Sequence, residues 1–186
     1  MKRAIAIVAL ALAACASLPA PSPSEVPVAS VDTAFVLAGR MSAHRGDAAV
    51  AGGFSWRHAP GHDAIDLATP LGQTLAKLEG DAHEARVQLQ DGRTEIAPTW
   101  SELTQKAFGV AIPVDGLAWW IRALPRPDAP VGVERDAQGR IAGLRQDGWD
   151  IVYGYADDAA RNPFRVSLSY PGAEPIEVRI VVDRRG

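Results

Sequence analysis

The chain has 186 residues, with 19 Lys and Arg against 22 Asp and Glu, a formal net charge of -3 and one cysteine. A net-acidic chain with no basic stripe is not built for nucleic acid, and a single cysteine supports no internal disulfide framework. The length and a hydrophobic share of 47% suit one domain with a sizeable core.

Lys2 and Arg3 precede an unbroken apolar run over residues 4–14, a positive n-region and an h-region too short to span a bilayer. The run ends in Leu12-Ala13-Ala14-Cys15, which resembles the lipobox of bacterial lipoproteins, where the cysteine becomes the first mature residue and is acylated. Residues 1–14 are therefore expected to be a lipoprotein signal peptide and Cys15 the lipid attachment. The bland alternative, an ordinary signal peptide, leaves a lone thiol in an exported protein. Loss of Lys2 and Arg3 takes the net charge from -3 to -5. Acyl chains contribute about 0.8 kcal/mol per buried CH₂, so an anchor with several chains is effectively permanent. Ala16 and Ser17 follow the cysteine, and the absence of Asp there implies sorting to the outer membrane. Residues 15–32 are expected to form a lipidated N-terminus and a tether rich in Pro and Ser. The folded part is expected over 33–186.

Beyond the tether, apolar and polar residues alternate with period two, the mark of half-buried strands. Phe35, Leu37 and Met41 share a parity, Phe54 and Trp56 alternate with Ser55 and Arg57, and Ile65 and Leu67 flank Asp66. Thr69-Pro70-Leu71-Gly72 reads as a turn with Pro second and Gly fourth, which puts Leu71 at a loop tip. Val87 and Leu89 alternate with Arg86 and Gln88, and Asp91-Gly92 reads as a hairpin turn.

Two segments break the alternation. Thr99-x-x-Glu102 resembles a capping box and opens a helix through Leu103, Ala107 and Phe108 to about Gly109. Asp115 is a candidate cap for a second helix, in which Leu117, Trp120, Ile121 and Leu124 make one apolar stripe before Pro125. Strand-like alternation then resumes through Trp149, Ile151 and Tyr153, through Phe164, Val166 and Leu168, and through Ile176, Val178 and Ile180. Gln146-Asp147-Gly148 and Pro171-Gly172 read as turns between them.

The pattern predicts a mainly β (α+β) domain with about 9–11 antiparallel strands. A strongly curved sheet of this kind is either filled by its own side chains or covered by helices that leave a cavity. Alternation alone does not choose between the two.

Three strings carry a resemblance. They are Asp66-Leu67-Ala68-Thr69-Pro70-Leu71-Gly72-Gln73-Thr74, the stretch from Ile112-Pro113-Val114 through Trp119-Trp120-Ile121 to Pro125, and Gly148-Trp149-Asp150-Ile151-Val152-Tyr153-Gly154-Tyr155. With Gly39-Arg40-Met41 and Phe54-Ser55-Trp56 before them, their order is similar to that of the LolB family over roughly residues 33–182. The resemblance implies an incomplete antiparallel β-barrel with a helical lid over an apolar cavity. It implies a receptor that accepts acylated lipoproteins from the periplasmic carrier LolA and inserts them into the outer membrane, without catalysis and without cofactors. Pro70, Leu71 and Gly72 match a family loop whose exposed leucine is implicated in membrane insertion. Phe54, Trp56, Leu67, Trp120, Ile121, Trp149 and Tyr153 are candidate cavity residues, although each also fits ordinary packing.

Other chemistry finds little support. Gly53-Phe54-Ser55-Trp56-Arg57 lacks the second glycine of a nucleophile elbow. His58-Ala59-Pro60-Gly61-His62-Asp63 places its histidines in a turn rather than at helical metal-ligand spacing. No catalytic residue and no metal site are expected. The expected partners are LolA, acylated cargo and outer-membrane lipid, for a chain that acts as a monomer. Acidic turn residues (Asp81, Glu84, Asp157, Asp158) are candidates for steering a basic carrier. The competing reading is an envelope scaffold with a filled core and a protein-docking surface.

Overall fold

A computed structural model describes residues 32–127 and 129–186. The expected signal peptide, Cys15 and nearly all of the tether lie outside the described residues. The first six strands follow one another as β1 (Phe35–Arg45), β2 (Ala48–Ala59), β3 (His62–Ala68), β4 (Thr74–Gly80), β5 (Ala85–Leu89) and β6 (Thr94–Ala97). Two helices come next, α1 (Trp100–Phe108) and α2 (Val114–Trp120). The remaining strands are β7 (Val131–Arg135), β8 (Ile141–Gln146), β9 (Trp149–Gly154), β10 (Arg165–Tyr170) and β11 (Ile176–Arg185).

All eleven strands join one sheet in the order β6-β5-β4-β3-β2-β1-β11-β10-β9-β8-β7. Each run is an antiparallel meander, and β11 closes on β1 to splice the two together. The sheet is not closed, because β6 and β7 remain as separate edges. The segment 98–130, which carries both helices, has to pass from one edge to the other. This route places the helices over the concave face, and the fold is the incomplete barrel with a helical cover.

The period-two pattern is realised as burial. Leu37 and Ala43 of β1, Phe54 and Trp56 of β2, Ile65 and Leu67 of β3 and Val87 of β5 point into the core, as do Ile151 of β9, Val166 of β10 and Val178 of β11. Curvature is helped where β1 meets β11. The register shifts between Ala38 and Gly39, and a Cβ at Gly39 would overlap the Val181 carbonyl, so only glycine allows that approach.

The helices differ in how their ends are made. α1 starts as expected, with Thr99 Oγ1 accepting from the Glu102 N–H at 3.2 Å, and stops at Gly109 in the left-handed conformation. α2 departs from expectation. Pro113 occupies its N-cap with no side-chain hydrogen bond, and Asp115 lies within the first turn rather than capping it. The α-helical pattern stops at Trp120, short of Leu124. Ala123 takes φ 55°, its N–H bonds to the Trp120 carbonyl at 2.9 Å, and the Leu124 N–H bonds to the Trp119 carbonyl at 3.2 Å. That is a Schellman ending with alanine where glycine is usual, so sequence inspection finds no stop signal before Pro125.

Candidate functional site

Between the concave face and the helices lies an apolar cavity of about 40 Å³. Its floor comes from Met41, Val50, Phe54, Trp56, Ile65, Leu67, Leu78 and Ile180 of the strands. Its roof comes from Thr104 and Phe108 of α1, Ile112 of the connector, Val114 and Leu117 of α2, and Ile121 beyond it. Thr104 is the one polar side chain in this lining. Its hydroxyl is already used, donating to the Trp100 carbonyl at 3.0 Å and accepting from the Ile112 N–H at 2.7 Å. Nothing in the lining offers a hydrogen bond to a polar ligand, whereas a hydrocarbon meets carbon on every side.

Of the seven candidate cavity residues, Phe54, Trp56, Leu67 and Ile121 line this space, and Trp120, Trp149 and Tyr153 lie outside its lining. Trp120 is buried beside Gly116, where a Cβ would come within 2.8 Å of the indole, and its Nε1 donates to Gln146 Oε1 at 2.9 Å. Trp149 stands 6.4 Å from Trp120 and 5.3 Å from Tyr170, ring centre to ring centre. Tyr153 is buried with no partner for its hydroxyl among the described residues, and that burial pushes its pKa well above the ordinary phenol value.

Two polar anchors hold the cover, and neither was legible as a site. Gln146 is 2% exposed and uses its whole amide. Its Oε1 accepts from Trp120 Nε1 and from the Arg126 N–H at 2.7 Å, while its Nε2 donates to the carbonyls of Arg126 and Ala129. The second anchor is built on His58. The imidazole lies 2.8 Å from Asp63 Oδ1 and 2.7 Å from Asp32 Oδ1, so both nitrogens face carboxylates and both must donate. Trp56 Nε1 donates to the same Asp63 oxygen at 2.6 Å, and Phe35 stacks on the imidazole at 4.6 Å. Burial works against the charge on His58, but the hydrogen bonds to Asp63 and Asp32 outweigh it and raise the pKa. Arg122, just past α2, donates to Thr33 Oγ1 at 2.8 Å and reaches Asp32 at 3.8 Å. The available signal was the hairpin turn at Pro60-Gly61, which makes His58 and Asp63 register partners.

Pro70, Leu71 and Gly72 occupy the β3–β4 turn, closed by the Gly72 N–H to the Thr69 carbonyl at 2.9 Å. Leu71 is 91% exposed, well above Val152 at 61%, the next large apolar residue among those described. It stands free of the sheet rim. Arg40 points outward and pairs with Asp183 at 3.1 Å. The acidic turn residues are exposed, and Asp81 and Asp157 each spend a carboxylate oxygen on backbone N–H groups of their own turns. Among the described residues no helix is long and apolar enough to cross a membrane.

A family model described as outer membrane lipoprotein LolB matches residues 33–184. A protein named outer-membrane lipoprotein LolB from Cupriavidus necator is 37% identical over 141 residues, covering 75% of this chain and 72% of that protein. One of the same name from Azoarcus is 35% identical over 183 residues, covering 97% of this chain and 93% of its own length. A third, from Thiobacillus denitrificans, is 36% identical over 159 residues, covering 85% and 82% respectively. Among solved structures, a LolA superfamily protein from Nitrosomonas europaea aligns with a TM-score of 0.49 at 8% identity, over 83% of this chain and 86% of that one.

Proposed function

The chain belongs to the LolB family of outer membrane lipoproteins, and from that premise we propose that it is an outer-membrane receptor that takes acylated lipoproteins from the periplasmic carrier LolA and inserts them into the membrane without catalysis. The observation that carries this reading is the cavity, walled by carbon between sheet and helices. Each CH₂ moved from water into such a space contributes about 0.8 kcal/mol, so acyl tails are its natural occupants. Transfer then needs no chemical step, only a lower free energy for the tails here than on the carrier.

At about 40 Å³ the cavity has room for only about three waters. An acyl chain is far larger, so the helical cover must open before cargo enters. That small volume is also the one observation that favours the scaffold reading, in which the core stays filled. A hydrophobic fluorescent probe that binds and is displaced by acylated peptide supports the receptor; absence of any binding supports the scaffold.

In the receptor reading, Cys15 carries the anchor and holds the domain at the periplasmic face of the outer membrane. Leu71 makes the contact that delivers cargo. Burying its side chain in lipid yields roughly 1.5–3 kcal/mol, enough for a passing insertion and too little for residence. The acidic turns steer a basic face of the carrier, so association slows as salt rises.

The deciding experiment mixes the domain with LolA already loaded with lipoprotein, in the absence of nucleotide. Cargo is expected to move to the domain, and cargo that stays on the carrier refutes the receptor reading. In the same assay Leu71→Glu is expected to accept cargo normally and fail to place it in vesicles. Its stability should change by less than about 0.5 kcal/mol, as for an exposed side chain.

A further inference from the structure

A second and larger hollow, of about 580 Å³, opens where the chain leaves α2. It shares no lining residue with the apolar cavity, and Arg122, Arg140, Arg161 and Arg185 all line it. Among the described residues its lining holds no Asp or Glu. The Gly186 oxygen in that lining accepts from the Val36 N–H at 3.1 Å.

Mostly neutral groups hold these guanidinium groups in place. Arg122 donates from Nε to the Ala118 carbonyl at 3.0 Å and from Nη1 to Thr33, and lies over the rings of Phe35 and Trp119. Its Nη2 is buried without a hydrogen bond among the described residues, 3.8 Å from Asp32. Arg185 donates to the carbonyls of Ile121 and Pro163. Arg140 is paired with Asp136 at 2.7 Å and lies over Tyr155. Arg161 is exposed, and among the described residues no carboxylate pairs with it or with Arg185. Burial pulls Arg185 below the usual guanidinium pKa, and Arg122 likewise, partly offset there by Asp32. A cation withdrawn from water with incomplete pairing is costly until an anion joins it.

We propose that this hollow is an anion site for a phosphate group, supplied either by a phospholipid headgroup or by free phosphate. A planar guanidinium fork engages two phosphate oxygens at once, and four arginines line this one space. In a chain with a net charge of -3, a lining with four arginines and no Asp or Glu among the described residues marks a local reversal of sign. The site does not depend on the cargo reading of the apolar cavity.

The test is calorimetric titration of the full chain in detergent with two probes, inorganic phosphate and glycerophosphoglycerol, the deacylated headgroup of a common anionic lipid. Saturable binding of at least one is expected. A headgroup that binds about tenfold tighter identifies lipid as the source, and equal or tighter binding of inorganic phosphate identifies the free anion. Arg161→Gln and Arg185→Gln should each weaken binding by about tenfold, the value of one charge-assisted contact. Arg57→Gln, whose side chain pairs with Asp66 away from the hollow, should bind as before. Because Arg161 is exposed, its variant should keep the same thermal midpoint. Absence of saturable binding by either probe overturns the proposal, and so does a folded Arg161→Gln protein that binds both as tightly as the parent.

Discussion

The two helices over the sheet are secured in opposite ways. α1 is closed by its own sequence, with the Thr99–Glu102 box at one end and Gly109 at the other, and it packs on β5, β6 and β2. α2 is shorter and has no side-chain cap. It is held from outside by Gln146 through Trp120 and by the Asp32–His58–Asp63 cluster through Arg122. Local caps keep a helix formed when it is disturbed, and the packing of α1 on three strands keeps it on the sheet. A helix fixed by two distant anchors can be released by loosening either. The difference predicts that opening of the cover begins at α2 while α1 stays on the sheet.

The strongest way to break this comparison is Gln146→Leu, which strands the Trp120 and Arg126 donors and two carbonyls. A loss of about 2–4 kcal/mol in denaturant unfolding is expected, with faster uptake of a hydrophobic probe. Lost stability with unchanged uptake would mean that α2 is not the part that moves. Thr104→Val comes next. It removes the acceptor for the buried Ile112 N–H between the helices, and about 1–3 kcal/mol should be lost. Smaller still is Thr99→Ala, which removes the cap of α1 at about 1 kcal/mol. Probe uptake should stay the same, and an increase would put the opening at α1 instead. The smallest signal is a pH trend, because opposing causes at His58 leave only their difference. Its folded pKa is raised, so its contribution to stability is complete below the unfolded value of about 6.5 and fades as pH rises through the folded one. Unfolding midpoints across that window should fall with pH, and His58→Gln should flatten the trend; a parent midpoint that rises instead would refute the charged pairing.

Much of the fold was legible because it is written in short-range pattern. The alternation through Phe54-Ser55-Trp56 and Ile65-Asp66-Leu67 marked strands and their buried faces, and the Thr69–Gly72 turn predicted an exposed Leu71. The candidate site was half legible. Parity says that Trp149 and Tyr153 face inward, but both Phe54, which bounds the cavity, and Trp149, which packs against Trp120 and Tyr170, satisfy the same rule. The end of α2 was hidden, because Ala123 takes a backbone conformation that sequence signals assign to glycine. Gln146 read as a turn residue, since its partners on Trp120 and Arg126 lie far from it in sequence.

What the sequence determined by itself is therefore local: strand parity, the turn that carries Leu71 and the capping of α1, each set by neighbours within a few residues. The tertiary structure alone decided which inward side chains enclose space and which fill it, where α2 is tied down, and which four arginines line one hollow. Those outcomes depend on β11 pairing with β1 and on the path of 98–130 between two open edges, and both join residues far apart in the chain.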